Sequence, residues 1–132
     1  MSKVVFTTNA PLPAPCLSQA VVAGEMIYCS GQLPIDPKTG KLVGGNIKDR
    51  TRQILRNLDA VLVRGGSSLL DVFKVTVFLT DMADVTAVND VFSWFFGSHK
   101  PACTCIAVKS LPLGTDVEVE CSGVLSRSLS NL

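Results

Sequence analysis

Histidine is nearly absent from this chain: His99 is the only one. That excludes a catalytic histidine pair and leaves any metal site short of its commonest ligand. His99 sits in a Gly-Ser-His-Lys-Pro segment and reads as a solvated loop residue. Charge is scarce as well, at 17% of residues with a formal net charge of +1. Such a balance carries no electrostatic footprint for nucleic acid or an anionic membrane. No apolar run approaches the roughly 18 residues that a membrane-spanning helix needs. The five cysteines are odd in number and too sparse for a small secreted disulfide scaffold, so reduced thiols are expected. Cys103 and Cys105 are spaced C-x-C rather than the C-x2-C of zinc ribbons, and no second pair follows. A phosphate-cradling loop is missing too; Gly65-Gly66-Ser67-Ser68 reads as a helix stop and a new cap. The first residues hold neither a long apolar signal core nor an Arg-rich presequence. A cytoplasmic protein without cofactor, metal, nucleic-acid or membrane partner is the resulting expectation.

What the chain does have is apolar material: 47% hydrophobic residues in a length of 132. One domain spanning residues 1–132 is the simplest division. A small monomer must keep much of its surface wet, so this composition argues for a buried subunit interface.

The elements alternate. Residues 4–7 and 19–23 read as strands, and Gly24-Glu25 as a tight turn into a hairpin partner at 26–30. Residues 33–45 contain Asp36-Pro37-Lys38-Thr39-Gly40, where Pro presets a turn and Gly tolerates positive φ. Asn46 can cap a helix running to Arg64, whose Ile47, Ile54, Leu55, Leu58, Val61 and Leu62 make one stripe; Gly65-Gly66 ends it. Lys48, Arg52 and Arg56 form a basic stripe on the same helix, read as its solvated face. Ser68 and Asp71 mark a single capped turn. Residues 72–80, β-branched and aromatic, predict a central strand. A second helix over residues 83–96 turns Val85, Val88, Val91, Phe92, Phe95 and Phe96 broadly inward. Two further strands close the fold as a late hairpin, and residues 126–132 read as a frayed tail. Together these imply an α+β domain: a mixed sheet with both helices on one face.

The last two strands carry the chemistry. In Pro101-Ala102-Cys103-Thr104-Cys105 and Glu118-Val119-Glu120-Cys121 the period is two, giving each strand a chemical and an apolar face. If they pair through a common core of valines, Cys103 and Cys105 share the opposite face with Glu118 and Glu120. Those carboxylates would then raise the thiol pKa values and weigh against a nucleophilic cysteine. A disulfide between Cys103 and Cys105 is disfavoured, since i and i+2 of a strand stand about 6.5–7 Å apart.

Over nearly its whole length the chain resembles the RidA (reactive intermediate deaminase) family, also labelled as endoribonucleases or translation inhibitors. Ser18-Gln19-Ala20, Ser30-Gly31-Gln32, Pro37-Lys38-Thr39-Gly40, Val75-Thr76-Val77-Phe78, Val88-Asn89 with Phe95-Phe96, Pro101-Ala102 and Val117-Glu118-Val119-Glu120 carry the resemblance. It implies a chorismate-mutase-like fold with a six-stranded sheet, assembled as a homotrimer whose sheets face inward around three inter-subunit clefts. It also implies hydrolysis of imines and enamines to ketoacids and ammonia. Carried over by position, Ser30, Gly31, Asn89, Cys105 and Glu120 are retained, with Glu120 the general acid/base and Cys105 beside it.

Two positions depart from that pattern. Cys103 stands where the family has the arginine that grips a substrate carboxylate, and Leu17 where it has a tyrosine. A thiol offers no fixed charge in place of a bidentate guanidinium. The resemblance therefore implies altered specificity: poor turnover of 2-imino acids and a better fit for a neutral, more apolar ligand. A trimer that binds a small molecule without converting it is the alternative. Cleavage of RNA is disfavoured by the neutral charge, the missing histidine pair and the lost arginine.

Overall fold

The computed structural model describes residues 2–126. Strands β1 (Ser2–Val5), β2 (Ala20–Ala23) and β3 (Met26–Gln32) make an antiparallel meander. Gly24, with φ +61°, supplies the left-handed turn between β2 and β3. Relative to the sequence pattern β1 lies two residues earlier and β3 ends two residues later, and β2 begins one residue later because Gln19 does not belong to the ladder. Its buried amide accepts from Thr7 N at 2.8 Å and donates to Thr7 O and Pro11 O, both at 2.9 Å. One polar side chain thus ties down the long segment after β1.

Residues 33–45 are more regular than a loop. They form a two-stranded ribbon of β4 (Ile35–Asp36) and β5 (Lys41–Leu42) around the predicted turn. Helix α1 (Ile47–Arg64) follows, capped as its sequence predicts: Asn46 accepts from Asp49 N and Asp49 accepts from Asn46 N, each at 3.0 Å. The predicted stripe is buried except at Ile47, which packs part-buried against the core, and Thr51 and Asn57 join it. Asn57 is satisfied by donating to Leu33 O and Ile35 O, so the helix also holds the ribbon. Arg50 makes a bidentate pair with Asp116 at 2.8 and 2.6 Å, which fixes α1 to the last strand.

After a short turn at Leu69–Asp71 come β6 (Val72–Leu79), a turn at Met82–Asp84, α2 (Val85–Phe96), β7 (Ala102–Ala107) and β8 (Val117–Val124). Helix α2 buries Val88, Val91 and Phe96, while Val85, Phe92 and Phe95 pack part-buried against the core. Ser126 is anchored rather than frayed, with N donating to Gly66 O at 2.8 Å and Oγ to Asp71 Oδ2 at 2.5 Å. The rest of the expected tail, residues 127–132, lies outside the described residues.

The sheet corrects one expectation. Its order is β1-β2-β3-β8-β6-β7, so the last two strands do not form a hairpin. Strand β6 lies between them, antiparallel to β8 and parallel to β7, which is left as an edge. The alternation of β6 then sorts the side chains. Val75 pairs with Cys103 and Cys121, and Val77 with Cys105 and Val119; these face the helix layer, where Val75, Val77, Val119 and Cys121 are core residues. Thr76 pairs with Glu120 and Thr104, and Phe78 with Glu118 and Ile106; these face the other way. The thiols and the carboxylates stand on opposite faces of the sheet.

Candidate functional site

Three groups of chemistry-bearing residues result. The first lies where β3 bulges against β8, between Cys29 and Gln32. Ser30 Oγ donates to Ser18 O at 2.6 Å and Ser30 N to Gln19 O at 2.9 Å, bringing the exposed Leu17 alongside. Gly31 lies against the Glu118 carboxylate so closely that an added Cβ would sit 2.2 Å from Oε2. Any side chain there would displace that carboxylate. Burial, and then the neighbouring Glu120, push the Glu118 carboxyl above its ordinary value.

The second group occupies the open face of the sheet, away from the helices. Glu120 is exposed there, in a row with Thr76 and Thr104. Lys74 donates from Nζ to Thr104 Oγ1 at 2.7 Å. The same face carries Tyr28, 50% exposed, and Ile106, 42% exposed.

The third group is a cavity of about 230 Å³ between α2 and the start of β7, lined by Asn89, Phe92, Ser93, Phe96, His99 and Cys103, with Lys100 and Pro101 at its edge. His99 is not a free loop residue: it is half-buried, with Nε2 donating to Val72 O at 2.5 Å. Burial pushes the Cys103 thiol above its ordinary value of 9.0, and Lys74 pulls weakly the other way. The cause is desolvation, not the carboxylates the sequence placed beside it. Cys105 is raised by burial and then by Cys103, and its Sγ lies 4.0 Å from Met82 Sδ. None of the five cysteines is bridged. Cys29 and Cys121 face each other across β3 and β8. Their mutual hydrogen bond, followed by burial, holds Cys121 protonated.

One chain does not assemble these groups around a single ligand. Strands β3 and β7 are three places apart in the sheet, about 14 Å at the usual strand spacing. Asn89 and Cys103 do meet in one cavity, a proximity that adjacent numbering could not show. Glu118 was singled out in the sequence only as a neighbour of thiols, and its place beneath Gly31 depends on a bulge that no periodicity reveals.

Known proteins agree with this architecture. The sequence profile of the family described as Endoribonuclease L-PSP matches residues 7–125. A RutC family protein of Pyrococcus horikoshii is 49% identical over 120 residues, covering 91% of this chain and 95% of its own length. The chloroplastic Reactive Intermediate Deaminase A of Arabidopsis thaliana is 36% identical over 123 residues, covering 93% of this chain and 66% of its own. The crystal structure of a putative endoribonuclease from Thermotoga maritima superimposes with a TM-score of 0.93 at 47% identity, over 96% of this chain and all of that one. Among the described residues, no helix is long and apolar enough to cross a membrane. With its six-stranded mixed sheet and two helices, the chain is a member of the RidA family, the family whose profile is described as Endoribonuclease L-PSP.

Proposed function

We propose that the protein is a cytoplasmic homotrimer that hydrolyses an imine or enamine, or moves a proton on a tautomerisable carbonyl compound, in clefts between its subunits. The uncovered apolar side chains of the open face, Tyr28 and Ile106, support a neighbouring copy over that face. So does the roughly 14 Å between β3 and β7: the Leu17, Ser30 and Gly31 end of one copy needs the Asn89, Cys103 and Cys105 edge of another. In such a cleft water adds across the C=N bond, and the tetrahedral intermediate expels ammonia to leave the carbonyl. Glu120 takes the proton from water, and the Glu118 carboxyl, already raised, can return one to nitrogen or to an enamine carbon.

The observation that carries the reading is Cys103, a neutral thiol lining the cavity of Asn89, Phe92 and Phe96. It sets the substrate class: an intermediate without a carboxylate to be gripped. The test compares wild type with Cys103→Arg on imines generated in situ from several amino acids, reading ammonia release. A charge-assisted contact of about 2–5 kcal/mol gives the variant roughly a 30-fold to several thousand-fold advantage on carboxylate-bearing imines. Equal rates would refute the account of the substitution. Glu120→Gln is expected to lower turnover about 10²- to 10⁴-fold. The exposure of Glu120 in the free protomer favours, as second reading, a trimer that binds a ligand without consuming it. Ligand-induced stabilisation without turnover decides for that reading, and Glu120-dependent ribonuclease activity decides against both.

A further inference from the structure

The outer side of the helix layer has a second groove, away from the Cys103 cavity. It lies between α1 and α2, holds about 280 Å³, and is lined by Lys48, Arg52, Arg56, Asp90, Trp94 and Phe95 over Val91. Trp94, the only tryptophan of the chain, is 79% exposed. Its indole meets Phe95 edge-on, with centroids 5.2 Å apart. The three cations recur every four residues of α1, so they run about 12 Å along one wall at roughly 6 Å intervals. They are not equally free. Lys48 is held by Asp90 across the groove at 3.3 Å, and Arg52 lends one nitrogen to Asp49 at 3.0 Å. Arg56 makes no ion pair among the described residues.

An amphipathic helix with its basic residues in water needs no tryptophan among them. Large exposed aromatics beside arginines are the composition of protein-interface anchors. The geometry points to this groove as the docking site of an acidic peptide segment in helical form. Two carboxylates four residues apart face Arg52 and Arg56, and a large apolar side chain between them lies on Trp94, Phe95 and Val91. Carboxylates one turn apart match the spacing of the two guanidiniums, which bind them bidentately. Asp90 and the charge balance decide against a nucleic-acid strand. Phosphates running the length of the groove would pass that carboxylate, and only two cations would be left to hold them, against the 6–10 contacts common for such partners.

Because the chain has one tryptophan, its fluorescence reads this groove alone. The probe is an acetylated peptide of about 14 residues, with glutamates four apart flanking leucine, titrated at low and high salt. The expected result is a saturable shift of Trp94 emission that weakens as salt screens the exposed charges. The double variant Arg52→Glu, Arg56→Glu should lose roughly 10- to 100-fold in affinity while its circular dichroism, oligomeric size and turnover stay as in wild type. The proposal is overturned if the peptide leaves the emission unchanged, or if a glutamine version of the peptide binds equally. It also fails if the double variant retains affinity, if oligouridylate of the same length competes better, or if the emission shift follows self-association of the protein. Turnover is read separately, so failure here leaves the deaminase reading untouched.

Discussion

The two sides of α2 are built from the same few turns of helix and have opposite characters. One side turns Asn89, Phe92, Ser93 and Phe96 towards β7 and lines an open cavity together with Cys103, whose thiol is exposed. The other turns Asp90, Val91, Trp94 and Phe95 towards α1 and leaves a groove with three cations on its far wall. The fold therefore does not lack arginine. It presents arginine in the groove between the helices, and none lines the cavity that holds Cys103. Under the two proposals above, the sides of α2 serve occupants of different charge: a mainly uncharged one near Cys103 and an anionic one near Arg56.

The contrast breaks first on stability. Phe96 is 5% exposed, belongs to the core, and packs edge-on against Phe92 at 5.7 Å. Phe96→Ala is expected to cost about 3–5 kcal/mol through lost burial and an unfilled cavity. Trp94→Ala removes a larger ring and is expected to cost under about 0.5 kcal/mol, because that ring is in water already. Urea unfolding of both variants measures the difference. Comparable losses would mean that Trp94 is a structural residue and that the groove is part of the core.

The chemistry of Cys103 sharpens the same contrast. Its thiol is raised above the ordinary value by desolvation, so the neutral thiol is the prevailing form at pH 7. Alkylation of Cys103 by iodoacetamide, followed by peptide-resolved mass spectrometry, should rise about tenfold per pH unit through the neutral range and show no plateau there. A plateau near pH 7 would make Cys103 an activated nucleophile and end its reading as a neutral replacement. Lys74→Ala should slow the reaction a little further at each pH, since Lys74 is the group that pulls the thiol down.

How far the sequence carried the argument depends on which interactions are local. The Asn46 cap, most of the α1 stripe and the inward face of α2 were legible because their partners lie within one or two turns. The order of the strands was not. Residues 101–107 and 117–124 read as neighbours because they are consecutive, whereas β6 takes the place between them and sends Cys103 and Glu120 to opposite faces. A strand's period names its two faces but not which face meets the helices. The clamp of Gln19 on Thr7 and Pro11, the Arg50–Asp116 pair and the Glu118–Gly31 contact are long-range for the same reason. Of the candidate site, the residue list came from family resemblance. The separation of Ser30 and Gly31 from Cys103 across the sheet came only from the topology.

The smallest expected effect is the most direct test of the charged side. Asp90 is the groove's one acid, and its ion pair with Lys48 joins two side chains 61% and 41% exposed. Pairs of that kind contribute little to stability, so Asp90→Asn should change the unfolding midpoint hardly at all, within about 0.5 kcal/mol. Yet the substitution removes the one carboxylate lining the groove and releases Lys48 as a third cation. Affinity for the acidic peptide should then rise a few-fold at low salt and return to the wild-type value at high salt, where exposed charges no longer reach one another. A variant that gained affinity equally at both salt concentrations would locate the effect in shape rather than charge. The groove would then be an apolar surface, and the opposition in charge between the two sides of α2 would be gone.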